Sequence, residues 1–96
     1  MAQAKEFTQA EADRYNYLFK AANTLVDPFL LIENETHSEA DRKILKKVIT
    51  MYDEAIKIHP GSWQSMWFRG KAFQALNDTE NAYNSFKQAY ELMARL

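Results

Sequence analysis

Apolar side chains recur along this chain at steps of three and four residues, and the pattern breaks at 27–38, 59–62 and 77–79. Tyr15, Leu18, Phe19, Ala22 and Leu25 form one such stripe, which predicts an amphipathic helix from about Phe7 to Val26. "VDPF" stops it, because Pro28 lacks an N–H and its ring drives Asp27 out of helical geometry. "LIENETH" reads as loop, and Ser38 with Asp41 three residues on resembles a capping box that opens a second helix over about Glu39–Ile58. "HPGS" closes that helix at Pro60 and Gly61. Ser62 caps a third helix, about Trp63 to Leu76, and "NDTE" supplies a turn and a cap at Asp78 or Thr79 for a fourth that runs to about Arg95. The connections at 59–62 and 77–79 are short, so helices two, three and four are expected to pack as antiparallel neighbours.

The composition agrees with an all-α domain covering 1–96. Only two Gly and two Pro occur, with many Ala, Leu, Lys, Glu and Gln and few β-branched residues. The formal net charge of −1 comes from intermixed acids and bases, so no basic stripe is present to neutralise nucleic-acid phosphates. Without cysteine there is neither a disulfide frame nor a thiolate metal site. The opening "MAQAKEFTQAEADRY" lacks the apolar run of a secretory signal, and no stretch approaches the roughly 20 apolar residues of a spanning helix. A cytoplasmic location and no membrane contact are the expectation.

Internal repetition organises the helices. A shift of 34 residues lays the second helix on the fourth: Val48 on Ala82, Ile49 on Tyr83, Tyr52 on Phe86, Ala55 on Ala89 and Ile58 on Leu92. A shift of 48 lays the first on the third: Tyr15 on Trp63, Leu18 on Met66, Phe19 on Trp67, Ala22 on Gly70 and Leu25 on Phe73. The two shifts differ by 14 residues, the size of an insert between the first two helices. The chain therefore reads as two helix pairs, one over about 7–60 with an inserted loop at 27–38, the other over about 61–95.

"MWFRGKAFQALNDTENAYNSFKQAYEL", preceded by "YDEAIKIHPGSW", closely resembles the tetratricopeptide repeat. Met66, Gly70 and Phe73 stand at that signature's bulky, Gly and Tyr places, and Ala82, Phe86 and Ala89 at those of its second helix. In the earlier copy Leu18, Ala21, Ala22 and Leu25 match the first helix, and Val48, Tyr52, Ala55 and Pro60 the second. Arg69 occupies the usual Leu place, the insert interrupts the first copy, and no Pro closes the second. The resemblance implies two antiparallel hairpins stacked as a short right-handed superhelix. Gly70 and Ala22 then let the facing helix approach closely, and that packing outweighs a helix penalty of roughly 1 kcal/mol for glycine.

The resemblance also implies a concave groove, lined by the first helix of each pair, that holds a peptide or helix of a protein partner. On a helical wheel the third helix directs Trp67, Gln64, Lys71 and Gln74 toward that groove, and the first helix directs Asn16, Phe19, Asn23 and Val26. The other reading is that Trp67 and Phe19 simply pack on each other. The family's carboxylate clamp is incomplete, because Trp67 and Phe19 stand where basic residues are needed. A second function class places the contacts at the ends instead. Phe29, Leu30 and Ile32 in the apolar insert either cap the first pair or dock on a partner. Met93 and Leu96 leave an apolar C-terminal end that calls for more repeats, a different protein or a second copy, with C2 symmetry expected of a homodimer.

Enzyme chemistry lacks a constellation. His37 lies in a polar loop and His59 beside Pro60, neither with a second ligand at helical spacing, so no metal site is expected. Asp41, Asp53 and Glu54 share their helix with Lys43, Lys46, Lys47 and Lys57, the mixture of a solvated face. With no Gly-rich loop for phosphates, no cofactor is expected either. A small helical enzyme or ligand-binding bundle is the weakest of the three readings.

Overall fold

A computed structural model describes residues 7–30 and 38–96 of the chain. It contains four α-helices: α1 (Gln9–Val26), α2 (Glu39–Ile58), α3 (Trp63–Ala75) and α4 (Thr79–Met93), with a one-turn 3-10 helix at Asp27–Phe29. They pack as consecutive antiparallel pairs, and α1 also touches α3. The body measures 48 × 28 × 17 Å with a radius of gyration of 13.9 Å. A sphere-like domain of this length would have about 12.5 Å, so the helices are laid out side by side. Among the described residues no helix is long and apolar enough to cross a membrane.

Side chains at the helix starts satisfy orphan N–H groups. Ser38 Oγ accepts from the Asp41 N–H at 3.1 Å, Ser62 Oγ from Ser65 at 3.3 Å, and Asp78 Oδ1 from Asn81 at 3.3 Å. Helix α1 begins at Gln9 rather than Phe7 because Thr8 and Glu11 form a full capping box, each backbone N–H donating to the other's side chain at 3.1 Å. Phe7 precedes that cap and meets the His59 ring edge-on at 5.1 Å. Helix α3 stops at Ala75 through Asn77, which takes a left-handed φ of 61°. The Asn77 N–H donates to the Gln74 carbonyl at 3.0 Å and the Asp78 N–H to Phe73 at 2.9 Å, a Schellman closure. Three residues thus end one helix and cap the next.

The core lies among α1, α2 and α3, where Ala22, Val26, Leu45, Val48, Tyr52 and Ala72 are fully buried and Ile49 is 9% exposed. Phe29 and Leu30 are half-buried and pack against it, so this part of the insert folds back on the first helix pair. Ile32 lies outside the described residues. The α3–α4 seam is built from small residues, with Gly70, Ala82, Ser85 and Ala89 buried. A Cβ added at Gly70 would stand 2.8 Å from Cδ1 and Cε1 of Phe86, so the ring occupies the space that glycine leaves.

Candidate functional site

Five partly buried aromatic residues form one continuous row across α1, α3 and α4. Tyr15 stacks on Phe19 at 5.7 Å, Phe19 meets Phe68 edge-on at 6.1 Å, Phe68 meets Trp67 at 5.1 Å, and Trp67 meets Phe86 at 6.3 Å. Such edge and offset contacts satisfy the ring quadrupoles and hold each ring in place. On a helical wheel Phe68 falls on the side of α3 opposite Trp63, Met66, Gly70 and Phe73, with Trp67 on the strip between the two sides. In the fold Phe68 joins Phe19 and Trp67, its ring touching Phe19 on one side and Trp67 on the other.

Two polar groups flank this row. Lys71 Nζ lies 5.6 Å over the Trp67 ring, a cation–π contact that fixes the ammonium beside the indole. Asn23 Oδ1 accepts a hydrogen bond from the Tyr52 hydroxyl. Tyr52 is fully buried, and burial pushes its phenol up from its ordinary value, so the hydroxyl stays neutral and able to donate. With its oxygen so held, the Asn23 side chain keeps its amide NH2 as the remaining polar group, a donor. Gln64 and Gln74 are exposed on α3, and Asn16 is exposed on α1. Val26 does not belong to the strip: it is fully buried, because α2 covers that angle of α1.

A buried polar cluster ties α1 to the start of α3. The Tyr15 hydroxyl and Ser62 Oγ share a hydrogen at 2.6 Å, and Ser62 Oγ and Ser65 Oγ another at 2.8 Å. His59 meets Phe7 and Tyr15 edge-on at 5.1 and 5.2 Å, and these rings, with Ala12 and Asn16, line an apolar hollow of about 150 Å³. Among the described residues no group of three His, Cys, Asp or Glu side chains could hold a metal ion.

Arg69, which the sequence presents only as a departure from Leu, ties three helices. Its Nε donates to Ser85 Oγ at 3.1 Å, its Nη1 to Asp53 at 2.7 Å and its Nη2 to Gln88 at 2.7 Å. The side chain is only 16% exposed. On the outer side of α4, Tyr83 is 64% and Tyr90 56% exposed, and with Phe86, Lys87, Glu91 and Ala94 they line a shallow hollow of about 430 Å³. The sequence reading put the exposed end at Met93, 37% exposed, and Leu96, 92% exposed, and missed these tyrosines. Their spacing of seven residues, about two helical turns, sets both on one stripe about 100° from Ala82 and Ala89, and was the available signal.

Neither hollow is lined by Gln64, Lys71 or Gln74. The strip that carries them is a shallow surface with a partly buried aromatic floor. Compared with known proteins, the chain matches no family model, no curated protein and no solved structure at a significant level.

Proposed function

We propose that this chain is a non-enzymatic protein-interaction module of tetratricopeptide type, two stacked helix hairpins that hold a peptide or helix of a partner along the strip shared by α1 and α3. The observation that carries the reading is the pairing of a fixed aromatic row with two oriented polar groups. Tyr15, Phe19, Phe68 and Trp67 give a rigid apolar floor at low entropic cost. Asn23, held by Tyr52, offers an amide donor to a peptide carbonyl, and Lys71, held over Trp67, offers a cation to an acidic side chain. The ligand that fits is a segment with an apolar residue on Trp67 and a carboxylate opposite Lys71. Exposed Gln64 and Gln74 extend the polar rim along α3.

The test uses the whole chain as bait beside a Trp67→Ala/Lys71→Glu variant of unchanged helicity. A partner held by the parent and lost by the variant supports the strip. A partner held equally by both removes binding from it.

A further inference from the structure

Ala12, Asn16, Phe19 and Asn23 fall within about 60° of one another around α1. One helical stripe therefore carries both the peptide strip, at Phe19 and Asn23, and two of the residues that line the apolar hollow of about 150 Å³. Helices α1 and α3 are each antiparallel to α2 and so run parallel to one another. Read from their N-terminal ends, the hollow comes first, then Phe19 with Trp67, then Asn23 with Lys71. The hollow is the end of the strip.

Its walls are held by contacts outside it. The Tyr15 hydroxyl is engaged by Ser62 Oγ at 2.6 Å, Ser62 is 1% exposed, and the Tyr15 ring stacks on Phe19. The backbone of His59 is tied on both sides, its N–H donating to the Ala55 carbonyl at 2.9 Å and its carbonyl accepting from the Ser62 N–H at 3.0 Å. A Cβ at Gly61 would stand 3.3 Å from Cε1 of His59, so the imidazole uses the space that glycine leaves. No ligand is needed to hold these rings apart. The surface that faces the hollow is almost wholly apolar, with the exposed Asn16 as its amide. A charged side chain placed there would lose its water without a partner. An apolar cavity of about 150 Å³ takes a benzene-sized group, so this hollow suits one leucine-sized side chain.

We propose that the hollow is an anchor pocket for a Leu, Ile or Met side chain of the same segment that lies along the strip. This rests on the reading that the α1–α3 strip holds a peptide, and it adds a second apolar anchor to that ligand. The Tyr15 and Trp67 rings are linked by three ring contacts of 5.7, 6.1 and 5.1 Å, so an extended peptide spans them in no more than about five residues. Lys71 lies one turn beyond Trp67 on the side away from the hollow. The order along the ligand is therefore aliphatic anchor, apolar residue on Trp67, then acid at Lys71.

Peptides selected by display against the intact chain, and then titrated by fluorescence anisotropy, test this. Binders lost on Trp67→Ala/Lys71→Glu should carry an aliphatic residue within about five positions of the apolar–acid pair, on the side away from the acid. Changing that residue to Ala should weaken binding to the parent by about tenfold, as expected for a side chain buried in a half-open site. Ala12→Leu, which fills the hollow from the chain itself, should weaken the unchanged peptide by a similar factor and make the peptide's Ala change nearly silent. Phe7→Ala, at a position 39% exposed, removes a wall without touching the core and should act in the same direction. Circular dichroism shows that each variant keeps its helices. Peptides that need Trp67 and Lys71 yet bind Ala12→Leu and Phe7→Ala as tightly as the parent overturn the anchor pocket and leave the strip standing. Peptides that need neither Trp67 nor Lys71, or a selection that yields no binder, overturn the strip and the anchor with it.

Discussion

Arg69→Leu restores the residue that the tetratricopeptide signature expects, and it should nonetheless destabilise this chain. The guanidinium joins Ser85 and Gln88 of α4 to Asp53 of α2. The Asp53 side chain is 50% exposed, so that bridge contributes little once solvent screening is counted. The cost resides at Ser85, which is 2% exposed and would lose its hydrogen-bond donor to an isobutyl group. An orphaned buried hydroxyl costs about 1–3 kcal/mol, and Leu keeps most of the packed volume. With a urea m-value of about 1 kcal/mol/M, the lower end for a domain this small, the midpoint should fall by about 1–3 M. Ser85→Ala in the Arg69→Leu background should recover at least half of the loss, whereas in the parent it should cost about 1 kcal/mol. Equilibrium urea unfolding followed by circular dichroism measures all four corners of this cycle. An Arg69→Leu chain as stable as the parent, or a double variant no better than the single, would refute the argument that the bridge is needed to satisfy Ser85.

Three other expectations follow from the same packing. Gly70→Ala gains about 1 kcal/mol of helix propensity but pushes on the Phe86 ring from 2.8 Å, so it should lower the melting temperature in the parent and raise it in a Phe86→Ala background. Asn77→Gly should stabilise by about 0.5–1 kcal/mol in urea unfolding, because glycine takes the left-handed φ of 61° without strain. The hydrogen bond from Arg14, at 2.6 Å, holds the Glu54 carboxyl below its ordinary value of 4.5, the sense of shift in which the folded state resists protonation. The pair's contribution is then fully present above 4.5 and is lost as pH falls through the depressed folded value. The gap in thermal stability between the parent and Arg14→Ala should therefore close on acidification, and a gap unchanged in acid would count against the pair.

Much of the fold was legible because its punctuation is local. Ser38 and Pro60 bracket α2 at the predicted bounds Glu39–Ile58, since a cap and a missing N–H act on their own neighbours. Helix α1 starts two residues later than the expected Phe7, because the Thr8–Glu11 capping box makes Gln9 the first helical residue. Gly70 and Ala22, which the repeat offset pairs, are both buried, and the Phe86 ring fills the space beside Gly70. The strip was harder. A helical wheel gives the angle of Val26 on α1 but not which angle α2 covers, so a core residue was assigned to the surface. Arg69 was opaque for a related reason, since its partners lie 16 and 19 residues away and only the fold brings them together.

The claim that the α1–α3 strip holds a peptide is tested most directly by selecting peptides against the intact chain and titrating the best binder into 15N-labelled protein. The account predicts peptides with an acidic residue beside an apolar one. It predicts shifts at the Trp67 indole and at the side-chain amides of Asn23, Gln64 and Gln74, with affinity falling at least about tenfold in Lys71→Glu. Shifts confined to α4, or a binder indifferent to Lys71 and Trp67, would contradict it.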